Sequence, residues 1–351
     1  MGMESIYKLS VVLNMVDQLT APMGRASQNL SSRLSGLQSG FGMAALAGGG
    51  MTAAGVGITN GMMKIAGSTF ETQDALAELK SLGITDLKAV EDAARQFSDT
   101  WAGTTKADFI TAAYDIKSGI ASLTDEGVAQ FTELAGLTAK ATKSTTGEMT
   151  SLFATGYGIY KGYYSELSDL EFGEMFAGGI ATAVKAYKTS GSEMASAISA
   201  LGGSATSANV PLEEQLSVLG MLQATMSGSE AATKYKALLN AATGAGEKLG
   251  LNFLDANNQL RSLPEILGIL KSKYGDTIDA VEKKQIKEAF GSDEAVAVID
   301  LLYGKTGELQ TGILDMYDAL GGGSSAAQEM ATAINATESQ KYTVLKQQLH
   351  N

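Results

Sequence analysis

From Tyr7 the apolar residues Tyr7, Leu9, Val11, Leu13 and Met15 alternate with Lys8, Ser10, Val12 and Asn14, a period close to two that predicts one short strand. Thr20 followed by Pro22 then reads as a helix start, with Pro in the first turn and Met23, Leu30, Leu34 and Leu37 along one face. Next the polar half of the pattern disappears. Leu34 to Met63 runs for thirty residues without a formal charge and includes Gly42, Gly48, Gly49, Gly50, Gly55, Gly57 and Gly61. The length would span a bilayer, for which about 20 apolar helical residues suffice. The composition is weaker, because Gly, Ser and Thr dilute the run and Gly48–Gly50 would fray an isolated helix. Three readings compete: a helix packed on copies of itself through small residues, a buried hairpin inside a soluble fold, and conditional membrane insertion.

Beyond Phe70 the period becomes helical. Leu87, Val90, Ala94, Phe97 and Trp101 share one stripe, which puts Trp101 in a core instead of on a ligand platform. Ser190 with Glu193, Thr145 with Glu148 and Ser262 with Glu265 have capping-box spacing ahead of apolar periodicity. Pro211 opens a helix carrying Leu212, Leu216, Leu219 and Leu222, with Glu213 and Glu214 set to favour the positive end of its dipole. Gly291 and Gly304, just after Phe290 and Tyr303, stand where a left-handed C-cap residue belongs. One stretch breaks the pattern. Leu249–Leu263 reads as two short extended pieces around Asn257-Asn258, which predicts a small β-hairpin between helices.

After Leu320 the run Gly321-Gly322-Gly323-Ser324-Ser325 is expected to be a flexible joint. A further helix follows from Ala326 through Met330, Ile334, Leu345 and Leu349, with neither Gly nor Pro to stop it, so the sequence is expected to be the front part of a longer chain. The predicted fold is mainly α, a multi-helix domain with one small β-hairpin, preceded by a short strand and a Gly/Ala-rich apolar helical segment. The expected divisions are 1–40 for the strand and first helix, 41–68 for the apolar segment, 69–320 for the helical core domain and 321–351 for the joint and further helix.

Composition narrows what such a domain can do. At 351 residues and 44% hydrophobic content the chain can build at least one substantial core. Its 41 glycines against 3 prolines do not fit a linker or collagen-like chain, which raises both together, and read as punctuation between helices. It has no cysteine, and its only histidine is His350, which removes disulfides, thiolates and imidazole-based chemistry. The net charge of −12 argues against nucleic-acid binding. Residues 1–68 are mildly basic, with Lys8, Arg25, Arg33 and Lys64 against Glu4 and Asp17, leaving about −14 for the remainder. The start lacks the basic and apolar regions of a secretory signal.

The chemical motifs fail on spacing. Gly304-Lys305-Thr306 would need a glycine five places before Gly304 to be a phosphate loop, and Ile299 stands there. Gly244, Gly246 and Gly250 miss the dinucleotide fingerprint. The run from Asp255 to Leu260 starts like a calcium loop, but Gln259, Leu260 and Ile266 occupy its third-ligand, glycine and bidentate-acid positions. Glu213-Glu214 and Asp293-Glu294 are explained by dipole compensation. Glu338-Ser339 resembles the catalytic glutamate of lytic transglycosylases, yet only a dozen residues follow it. Tyr157, Tyr160, Tyr163 and Tyr164, interleaved with Gly156, Gly158 and Gly162, form the densest aromatic cluster, open to partner contact but by default ordinary packing. No catalytic, cofactor-binding or metal-ligating residue is assigned, and the chain is expected not to be an enzyme.

The order of these packing motifs carries a resemblance. TFETQDALAELKSL at Thr69–Leu82 is followed by an Ala-rich helix, a turn and PLEEQLSVLGMLQATMSGSEAA across Ser190–Ala232. Leu249–Leu270 then brings Asp255, Arg261 and Pro264, and the series ends at AFGSDEAVAVIDLL, Ala289–Leu302. In this order, and in the opening KLSVVLNMVDQLTAPM, the chain resembles the core region of bacteriophage and phage-derived tail tape measure proteins. It departs from them at Ala232-Thr233, where the family often has Gly-Thr, and at Asn258, where it often has Gly at the turn. It is also short for the family, since a fully helical chain of this length reaches only roughly 530 Å at about 1.5 Å per residue.

The resemblance implies a non-catalytic virion protein in the lumen of the tail tube, made in the host cytoplasm, that templates tube polymerisation and sets tail length. It further implies the tail tube protein, tail assembly chaperones, baseplate or hub proteins and copies of itself as partners, with no cofactor and no specific nucleic acid. Apolar segments in such proteins are associated with genome ejection. The competing expectation is a membrane-active channel or pore-forming component that contacts the host membrane through 34–63, and a third is an acidic adaptor with no tail role.

Overall fold

Most helices start where a side chain can take the free amides of the first turn. The computed structural model describes residues 70–349 and Asn351, so the strand expected at Tyr7–Met15, the helix from Pro22 and the uncharged Leu34–Met63 lie outside the described residues. Helix α1 covers 70–81. Then come α2 (Leu87–Thr100), α3 (Lys106–Gly119), α4 (Asp125–Thr142), α5 (Thr146–Tyr160), α6 (Asp169–Ala186) and α7 (Gly191–Leu201). After a single helical turn at Ser204–Ser207 the chain forms α8 (Leu212–Leu222), α9 (Gly228–Leu249), α10 (Leu263–Tyr274), α11 (Ala280–Phe290) and α12 (Asp293–Leu302). Helices α13 (Thr306–Gly321), α14 (Ser325–Asn335) and α15 (Glu338–Gln348) complete it.

The expected capping boxes at Thr145/Glu148 and Ser262/Glu265 form in both directions. Ser190 forms half of one: it accepts the Glu193 amide at 3.2 Å, while the Glu193 carboxylate crosses to the amide of Gly228 and caps α9 instead. Gly291 closes α11 in the left-handed conformation, φ 63°. Gly304 does not cap α12. It sits in a 3-10 turn, Tyr303–Lys305, through which α12 runs on into α13.

The fold is mainly α, and among the described residues no strand forms. The hairpin expected at Leu249–Leu263 is reduced to one antiparallel bridge between Leu254 and Leu260. The Asp255 carboxylate accepts the amides of Asn257 and Gln259, both at 2.8 Å, and Asn258 takes the expected positive φ of 60°. Phe253 turns inward against Phe290, 6.3 Å between ring centres. An aspartate-anchored turn with one arm committed to the core leaves no length for a ladder.

Packing centres on two helices. Helix α4, buried nearly all round, lies against α2, α3, α5, α6 and α14, while α9 lies against α7, α8, α11 and α12. An aromatic run fills the first group: Phe131 meets Phe153 edge-on at 6.3 Å, Phe153 meets Phe176 at 5.3 Å, and Phe172 stacks on Phe176 at 6.0 Å. Glycine here is contact surface as well as punctuation. A Cβ at Gly156, inside α5, would overlap the Phe176 ring, and one at Gly178, inside α6, would overlap the Gly323 carbonyl. That second contact seats the 321–325 run, which is a hydrogen-bonded turn and not a flexible joint: Gly322 donates to Asp318 and Gly323 to Leu320.

Candidate functional site

The rejected motifs are occupied by structural roles. Thr306 donates its hydroxyl to the Tyr303 carbonyl at 2.9 Å within the 3-10 turn, where a phosphate loop would present free amides. Gly246 lies under Phe253, and Gly250 ends α9 with φ 65°. Asp293 pairs with Lys287 at 2.6 Å, and exposed Glu338 pairs with Lys341 at 2.8 Å. The tyrosine cluster is mostly interior. Tyr160 is buried, Tyr157 stands edge-on to Phe131 and Phe172 and donates to Asp169 at 2.8 Å, and Tyr164 leans on Phe172. Only Tyr163 of the four faces out, 57% exposed. Among the described residues no three acidic or histidine side chains converge as a metal site, and no helix is long and apolar enough to cross a membrane.

Glu214, expected as a first-turn acid facing a helix dipole, is only 2% exposed. It sits in the first turn of α8, as expected, but that helix is buried on nearly every side, so the carboxylate points inward. There it accepts the Leu263 amide at 2.8 Å, covering a free amide at the start of α10, and the Tyr235 hydroxyl at 3.4 Å. Beside it Tyr160 donates to Gln215 at 3.1 Å, and Gln215 donates to the Val210 carbonyl at 2.8 Å. Burial pushes the Glu214 carboxyl up to about 7 and the Tyr235 phenol well above its usual value. Helices α5, α8, α9 and α10 are thus tied through one enclosed polar centre. The available signal was the lack of any charge in α8 after Glu214, the mark of a helix with no solvent face.

A second polar centre lies at the carboxyl end of α2, which stops at an extended Trp101 with no glycine cap and no basic residue in its last turn. Its open carbonyls are met by amides from far along the chain. Asn335 of α14 donates to Thr100 at 2.7 Å and accepts from Ala102 at 3.1 Å, and Gln347 of α15 reaches the Ser98, Trp101 and Thr104 carbonyls. Lys140, its ammonium pushed down by burial, donates to the Ala102 carbonyl at 2.7 Å and to Gln340. Alongside runs a groove of about 640 Å³ lined by Trp101, Thr104, Lys140, Thr146 and Gln340.

The apolar stripe expected through Met330, Ile334, Leu345 and Leu349 is broken at Ala336-Thr337, where one helix becomes two. On α15 it faces outward, with Leu345 40% and Leu349 49% exposed, while Val344 and Gln347 are buried. Tyr342 beside them, and Leu314 and Tyr317 on α13, are also exposed.

Comparison with known proteins gives one family. The model for a phage-related minor tail protein matches residues 91–291, more than half of the chain, from within α2 to the glycine that closes α11. No curated protein and no solved structure matches the chain.

Proposed function

Because the chain belongs to the phage-related minor tail protein family, we propose that it is a structural component of a phage tail and the tape measure of that tail. It acts by occupancy, without catalysis: copies of the chain lie in the lumen of the growing tube, and tube polymerisation halts when the molecule is covered. Before the tube is built it is in the host cytoplasm with tail assembly chaperones. In the particle its neighbours are the tail tube protein, the baseplate or hub and further copies of itself. The family match over 91–291 supports the tail role, and the order of packing motifs from Thr69 to Leu302 supports the tape measure reading within it.

The test is tail length. In-frame deletions outside the packed domain are expected to shorten assembled tails by about 1.5 Å for each helical residue removed, and insertions to lengthen them as much. Tails of unchanged length in electron micrographs of several such variants would overturn the reading, while leaving a structural tail role intact.

A further inference from the structure

The seam beneath α15 is made of amides. The Gln347 Nε2 carries two hydrogens, yet four acceptors crowd it: the carbonyls of Ser98, Trp101 and Thr104 at 2.8, 3.0 and 3.0 Å and the Ser98 hydroxyl at 3.2 Å. Its Oε1 accepts the Gly103 amide at 2.7 Å. Gln348 donates to the Asp99 carbonyl at 3.0 Å and Asn351 to the Asp99 carboxylate at 2.7 Å. Two of these acceptors, the Ser98 and Asp99 carbonyls, are ones that a helix leaves open in its last turn, and Trp101 is the residue on which α2 ends, so α15 supplies much of the cap that α2 lacks. Apolar burial adds little. Val344 is the one apolar side chain of α15 that is buried, and its N-cap, Thr337, makes no side-chain cap bond.

We propose that α15 is a releasable latch, which lifts off the 98–104 turn as a unit while the helices packed on α4 and α9 stay folded. Water replaces amide hydrogen bonds at small net cost, whereas apolar surface once uncovered has no such substitute. A segment held mainly by the former therefore opens at a lower free energy than the core. Helix α14 stays behind, because Ala327 and Ala331 pack with Leu137, Ala141 and Ala181. Release uncovers the carbonyl end of α2 and the backbone of Trp101, the one tryptophan of the chain. The match to the tail family covers the cradle at 98–104 and stops before the latch. The latch does not rest on the tape measure reading.

Two measurements on the full chain test it. By hydrogen–deuterium exchange, peptides from 338–349 are expected to exchange at least about 100-fold faster than peptides from Asp125–Thr142. In a urea titration, Trp101 fluorescence is expected to change at lower urea than far-UV helicity. Gln347→Ala is expected to raise exchange in 338–349 by a further factor of about 10 and to leave 125–142 as it was. Equal protection in the two regions, one coincident urea transition, or a Gln347→Ala effect as large in α4 as in α15 would each overturn the latch.

Discussion

The helices around α4 and the seam under α15 both join segments far apart in the chain, and they do it with opposite chemistry. Around α4 the contacts are rings and methyl groups that exclude water: Phe131, Phe153, Phe172 and Phe176 are all fully buried, and Gly156 lets Phe176 lie directly on the backbone of α5. Under α15 the contacts are carboxamides on main-chain carbonyls, and the leucines of that helix face solvent. Apolar packing of the first kind fixes one arrangement and resists opening, because each ring removed leaves a cavity. Polar capping of the second kind fixes position through direction while contributing modestly to stability. Within one domain, then, the same requirement of joining distant segments is met once for permanence and once for reversibility.

The largest test of that contrast is Phe176→Ala. It removes a fully buried ring that touches Phe153, Tyr160 and Phe172, and should lower global stability by about 3–5 kcal/mol in denaturant titrations. A loss confined to one end of the domain would show that the aromatic run is not its common core.

Next in size is the enclosed Glu214, a polar contact set inside the permanent region. Its folded carboxyl titrates at about 7 against an ordinary value of 4.5, so between those limits the folded protein holds a proton that the unfolded chain has released. The associated stability is complete below about pH 4.5, declines as pH rises through 7, and amounts to on the order of 3 kcal/mol. Partly buried Glu133 on α4, pushed up to about 7 by burial alone, adds a decline of the same sign. Unfolding followed from pH 4.5 to 8 should therefore fall in free energy, and Glu214→Gln should remove its share and leave that of Glu133. An unchanged slope in that variant would show that the Glu214 proton is not linked to folding.

Gly178→Ala probes the turn that seats α14 on the α4 group, next to the seam. The added methyl meets the Gly323 carbonyl and should cost about 1–3 kcal/mol, appearing as faster amide exchange in α14 with α9 unaffected. An effect spread evenly over both helices would show that this turn does not act locally.

The sequence carried the permanent region far better than the reversible one. Thr145 with Glu148 and Ser262 with Glu265 act over three residues, so spacing alone discloses them, and the apolar stripe of α8 holds at Leu212, Leu216, Leu219 and Leu222. Gln347 has no such signature. Its partners are backbone carbonyls, which every residue possesses, and they lie across nearly the whole domain. Leu345 and Leu349 misled in the opposite direction, since hydrophobic periodicity assigns the buried face to leucine, and here an amide takes it. For Glu214 the pattern gives the place in the first turn and says nothing of burial, because the dipole argument fixes where an acid sits along a helix and not which way it points. At the 254–260 turn, Asn258 was foreseen, but the side-chain hold of Asp255 on two amides was not.

The amide cap on α2 also sets an order of events during synthesis. Ser98 and Gln347 stand 249 residues apart, a separation that no local folding step can close. At about 5–20 residues per second, the ribosome delivers Gln347 roughly 10–50 s after Ser98. Through that interval the growing polypeptide carries a finished helix with an unfinished end, so a helix that emerges early is among the last to be completed.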